Sequence, residues 1–214
     1  MRLSLGCFIF LLLTSSSCTP SEIDQTPPVA PKEQPAEYFD SFEDVDNKSK
    51  PSFRNPKLEK YWIENPNITH CTSSGVSEYR MREAIRFWTR IGYEFGEISV
   101  GNDSEMCLLP PVRGEILITI ITNDITIGSN LAVTKVSFFT KTSEILSARI
   151  FMIPGYANKS WILEHEIGHA LGWSHYSKDR HIMHPVYTSL GATYTGLSYR
   201  YYEDWRSYIL QKLR

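Results

Sequence analysis

The apolar positions of this chain follow two rhythms. Met81, Ala84, Ile85, Trp88 and Ile91 recur at intervals of three and four, which sets them on one stripe of a helix over 78–91 with Ser77 placed to cap it. Leu197, Tyr201, Trp205, Tyr208 and Ile209 repeat that spacing and predict a last helix over 197–213. A third helix is predicted over 161–171, with Ser160 as its cap and Gly172 as its stop. The remaining apolar runs are short and rich in β-branched residues. Residues 67–71, 116–121, 131–139 and 148–153 read as strands, and Pro110, Pro111 and Gly114 interrupt the chain ahead of the second.

Residues 19–56 show neither rhythm. They hold seven prolines and eight acids against four bases, and too few aliphatic side chains to bury a core. This stretch reads as a disordered tether, and Tyr38-Phe39-Asp40-Ser41-Phe42 is its one apolar patch, a candidate for docking on the domain C-terminal to it. Ahead of it, Arg2, a mostly apolar run over 3–13, and Thr14-Ser15-Ser16-Ser17 before Cys18 make a signal peptide. Its ending on Cys18 resembles a bacterial lipoprotein signal, in which that cysteine carries the lipid, although Ser15 stands where Leu is usual. The alternative is ordinary cleavage and secretion. The chain therefore divides into a signal at 1–17, a tether at 18–56 and a domain at 57–214. The expected location is outside the cytoplasm, on a membrane through Cys18 or free if Cys18 carries no lipid.

Composition narrows the partners. Lys plus Arg is 22 and Asp plus Glu is 24 in 214 residues, which gives no basic stripe for nucleic acid. The length suits one domain, expected to act as a monomer. Of the four cysteines, Cys71 and Cys107 alone lie in the domain, either as a disulfide, which export favours, or as two free thiols.

The chemistry concentrates in His165-Glu166-Ile167-Gly168-His169-Ala170-Leu171-Gly172-Trp173-Ser174-His175. His165 and His169, four apart on a helix, put both imidazoles on one face, where they can share an ion. Glu166 projects beside that ion as a general base. Gly172 ends the helix in a sharp turn that can bring His175 back as a third ligand. Three neutral nitrogens leave one zinc position open, the arrangement of a catalytic site.

HExxHxxGxxH resembles the zinc signature of the metzincin metalloproteases. Eight residues after His175 stands Met183, where metzincins place the methionine of a tight turn beneath the zinc. The adjoining His184-Pro185-Val186-Tyr187 is similar to the x-Pro-x-Tyr of the matrixins, the matrix metalloproteinase family. Astacins carry a tyrosine ligand two residues after the methionine, and here that place is Pro185. The resemblance implies an α+β, zincin-like catalytic domain with a twisted mixed sheet, an active-site helix, a Met-turn and a C-terminal helix. It implies that Pro185, Val186 and Tyr187 wall the primed-side substrate pocket. It also implies that Leu131, Ala132, Val133 and Thr134 form the edge strand on which an extended substrate lies. The implied activity is zinc-dependent hydrolysis of peptide bonds in proteins, by Glu166-assisted attack of zinc-bound water, with one zinc ion and a protein or peptide substrate.

Some features depart from the family. Tyr176 replaces the serine that often comes after the third histidine, no Pro-Arg-Cys-Gly latch exists, and residues 117–164 hold no histidine for a second, structural zinc. Calcium is possible but not readable, since Asp103 and Asp124 are loop acids of the ordinary solvated kind. His70, His181 and His184 are bystanders once the three-histidine set is complete, and Trp161 and Trp173 are packing residues beside the zinc helix. Two other readings stay open. One is a non-catalytic zinc-containing surface lipoprotein that binds peptide or cell-wall polymer, and the other is a zinc hydrolase acting on a non-protein amide.

Overall fold

The computed structural model describes residues 37–39, 56–102, 105–121 and 130–214. The signal segment, Cys18, Asp103, Asp124 and most of the tether lie outside the described residues. Among the described residues six strands, β1 (Glu37–Phe39), β2 (Asn67–Cys71), β3 (Ile98–Gly101), β4 (Glu115–Ile120), β5 (Ala132–Phe138) and β6 (Ile145–Met152), form one sheet in the order β1-β5-β6-β4-β2-β3. β3, β2, β4 and β6 run parallel, and β5 pairs antiparallel to β6. The sheet is therefore mixed, and with its helices it makes the expected α+β fold. β4 and β6 lie inside the sheet; the unbroken buried run of β4, and the mostly buried β6, reflect cover on both faces. β3 has no counterpart among the strands expected from the sequence. It is four residues long, and Ile98 and Val100 are exposed, so it carries little apolar signal.

Among the described residues four α-helices join the sheet: α1 (Glu78–Arg90), α2 (Glu105–Leu108), α3 (Ile162–Ala170) and α4 (Tyr199–Lys212). α1 begins as its sequence suggests, with Ser77 Oγ accepting from the Arg80 N–H, and it buries Met81, Ala84 and Trp88. α3 packs on β5, β6 and α1. Its start differs from the expectation. Ser160 does not cap it; Trp161 takes that place with φ 72°, and no side chain caps the first turn. A left-handed tryptophan is a cost that surrounding packing must hold in place, and its ring meets Phe87 edge-on.

The joints between elements are polar atoms of large side chains. Trp88 Nε1 donates to the Glu164 carbonyl at 2.9 Å, which ties α1 to α3. Arg80 adds two bonds to the Glu164 carboxylate, at 2.7 and 2.6 Å, with both side chains largely withdrawn from water. Trp173 Nε1 donates to Tyr93 Oη, which in turn donates to the Leu197 carbonyl. Trp62 Nε1 donates to the Ala170 carbonyl, and its backbone N–H donates to Tyr202 Oη on α4. Trp173 is thus a packing residue, and the α4 aromatics serve the core through buried Tyr202 with Tyr199 stacked on it. Cys71 at the end of β2 and Cys107 in α2 form a disulfide. Leu117 packs against them in a small second core.

Candidate metal centre

α3 carries His165, Glu166 and His169, and every residue of the helix is buried. A helix this thoroughly covered presents its polar side chains to a built interior. The backbone then turns at Gly172, with φ +98°, where a Cβ would lie 2.0 Å from the Lys60 carbonyl oxygen. Only glycine satisfies both the left-handed backbone and that close approach. The crossing segment is residues 57–61. Glu59 N–H donates to the Gly172 carbonyl, Ser174 N–H donates to the Lys57 carbonyl, and Leu58 bridges to Trp173. This clasp holds the turn that returns His175 to the helix.

The three imidazoles converge. His169 Nε2 lies 3.0 Å from His165 Nε2 and 3.1 Å from His175 Nε2, and one ligand nitrogen from each falls within 4.8 Å of the others. The opposite ring nitrogens set the tautomers. His165 Nδ1 donates to the Ile182 carbonyl at 2.7 Å and His169 Nδ1 to the Trp173 carbonyl at 2.8 Å, since a carbonyl can only accept. Both Nε2 atoms therefore present lone pairs to the same point. Burial, reinforced by His175, lowers the His165 pKa to about 3, and burial with the neighbouring imidazoles holds His169 well below its usual value. Neutral nitrogens this close repel unless a cation lies between them. Ligands of one tetrahedral zinc at ~2.0–2.1 Å are spaced about 3.3 Å apart, which is near the observed separations. The residues present fit zinc.

Glu166 is fully buried beside the ligands, and Thr134 Oγ1 donates to its Oε2 at 2.5 Å. Beneath the helix lies buried Met183, at the Met-turn position. An added Cβ on Gly168 would fall 2.3 Å from Met183 Sδ, so the absence of a side chain at 168 lets the methionine reach the helix. His181 is no ligand, but it is more than a bystander. It is buried, it accepts from the Met183 N–H through Nδ1, and it donates through Nε2 to the Thr195 carbonyl. It pins the turn from inside. His70 lies elsewhere, against Ser74, and His184 bonds locally to Val186.

The outer site residues occupy distinct places. Pro185 and half-exposed Val186 come directly after the Met-turn, and Tyr187 opens a short 3-10 turn over Tyr187–Ser189 while packing on the core. Leu131 precedes β5, and Ala132, Val133 and Thr134 are its first three residues. β1 pairs antiparallel along the outer side of that strand, with Phe39 opposite Thr134. Two contacts have no sign in the sequence, Thr134 on Glu166 and Arg80 on Glu164. Neither has a spacing signature, because each joins elements distant along the chain.

Residues 152–200 match the sequence model of the matrixin family. Among solved structures, the crystal structure of metalloproteinase-II from Bacteroides fragilis aligns at 16% identity and a TM-score of 0.41, over 74% of this chain and 58% of that one. The chain therefore spans a little over half the length of that structure. No curated protein matches. The matrixin match covers α3, the glycine turn, all three histidines and the Met-turn, and over that stretch the chain is similar to the matrixin family.

Proposed function

We propose that this protein is an endopeptidase that hydrolyses peptide bonds in protein substrates, with Glu166 as its general base. The observation that carries this reading is the convergence of three imidazoles, those of His165 and His169 held neutral by burial, with a buried carboxylate that shares the helix of those two and lies one residue from the first ligand. His165, His169 and His175 would hold the ion. Bound zinc supplies Lewis acidity, polarising the scissile carbonyl and bringing the pKa of a water toward about 7. Glu166 takes the proton of the attacking water and returns it to the leaving amine. Met183 fills the floor and exchanges no proton.

The peptide would lie along the outer edge of β5, from Leu131 through Thr134, with Pro185, Val186 and Tyr187 beside its primed side. β1 occupies the next part of that edge, Thr134 to Val136, and meets the proposed substrate stretch at Thr134. A strand edge offers one row of N–H and C=O groups, so β1 and an extended substrate reaching Thr134 or beyond compete for the same backbone there.

Glu166→Ala tests the mechanism. The variant should keep one zinc per chain while cleavage of casein or gelatin falls at least about a hundredfold. Chelator should abolish wild-type cleavage and added zinc restore it. Near wild-type activity in the variant would sink the role of Glu166. Peptide binding without cleavage across a broad peptide library would point instead to a non-catalytic binding protein.

A further inference from the structure

Thr134 enters the resemblance only as backbone, one residue of a strand that pairs with substrate. Its side chain does something the family signature does not describe. Thr134 and Glu166 are both fully buried, on β5 and α3, and the Thr134 hydroxyl reaches Glu166 Oε2 at 2.5 Å and the Glu166 carbonyl oxygen at 3.2 Å. A hydroxyl has one proton to give. The shorter contact falls in the ~2.5–2.7 Å range of a hydroxyl on a carboxylate, which is the stronger acceptor, so the proton goes to Oε2.

We propose that Thr134 is a positioning residue for Glu166: its hydroxyl sets the rotamer of the carboxylate that acts as base. The inference rests on the function proposed above. The physical argument is one of degrees of freedom. A glutamate has three side-chain torsions, and each orientation off the productive one removes the base from its proton. The carboxylate is planar, so fixing Oε2 fixes the direction of Oε1. Thr134 is itself a rigid anchor. It is β-branched, opposite Ile150 on β6, and in a strand paired on both sides. The hydroxyl belongs to a sheet and the carboxylate to a helix, so the bond also reports whether α3 is seated on β5.

Two substitutions separate positioning from packing. Thr134→Val keeps the shape and removes the hydroxyl, while Thr134→Ser keeps the hydroxyl and removes a methyl. In the full-length zinc-loaded protein, Thr134→Val should lower kcat on a peptide about tenfold or more with KM and zinc content unchanged. Thr134→Ser should stay within about threefold of wild type. A second readout needs no activity. The carboxylate stretch of Glu166, isolated as the infrared difference between zinc-free wild type and Glu166→Gln, should shift in Thr134→Val and return in Thr134→Ser. Wild-type kcat in Thr134→Val overturns the positioning role, as does a kcat loss in both variants that tracks lost melting temperature. Absence of cleavage by wild type, with the infrared shift present, overturns the proposed function and leaves the contact standing.

Discussion

Two glycines near the zinc helix differ in what stands against them, and their substitutions should differ accordingly. At Gly168 an added Cβ meets Met183 Sδ at 2.3 Å and Trp88 Cζ2 at 3.0 Å. The sulfur lies near the end of a flexible side chain and can move, so Gly168→Ala should cost about 1–3 kcal/mol, as overpacking does. At Gly172 the obstacle is the Lys60 carbonyl at 2.0 Å, which is backbone, and φ is +98°. Gly172→Ala should cost about 3 kcal/mol or more and unseat the 57–61 segment. Denaturant unfolding of both variants at fixed zinc checks the order; equal losses would mean that the backbone at Lys60 yields as easily as a methionine. At this scale the sequence is informative. Gly172 is legible as a helix stop, because a positive φ leaves a mark in composition. Gly168 is not, because a close approach from Met183, at the far end of the Met-turn, leaves none.

Elements divide in the same way. The cap on Ser77 and the stripe of α1 are legible because both are local. Ser160 misleads, since a good capping residue lies one position too early and Trp161 takes the role under tertiary constraint. β1 is the element with the largest functional bearing. Tyr38-Phe39 stands out as an apolar patch in a polar tether, and the strand Glu37–Phe39 is where that tether meets β5. If β5 is the substrate strand, a chain beginning at residue 46 should show a KM for an extended peptide several-fold below that of the full chain, with kcat little changed. Equal KM values in steady-state assays would place the peptide elsewhere.

Across the whole molecule, the three-histidine site is legible in the sequence and the frame around it less so. HExxHxxGxxH writes two ligands at helical spacing and the third after a forced turn, which is chemistry set by short-range geometry. The Arg80–Glu164 pair and the Thr134–Glu166 bond span 84 and 32 residues, and no periodicity encodes them. The disulfide is long-range too, joining positions 36 apart, and only the export signal and the shortage of other cysteines hint at it. Removing it by Cys71→Ser with Cys107→Ser should cost about 4 kcal/mol in the chain-entropy account. Thermal unfolding would show this as a large drop in melting temperature; a negligible drop would mean that the unbridged chain is already constrained there. The clasp of residues 57–61 over the glycine turn has a kinetic consequence. Ser174 meets Lys57 across 117 positions, among the most distant contacts in the domain. Closing so large a loop is slow and comes after local structure. A nascent helix can offer His165 and His169 early, but His175 arrives only when the start of the domain has folded back over its middle. A partly folded chain thus lacks the third histidine, and the complete metal-binding set becomes a late event in folding, formed only with the finished domain.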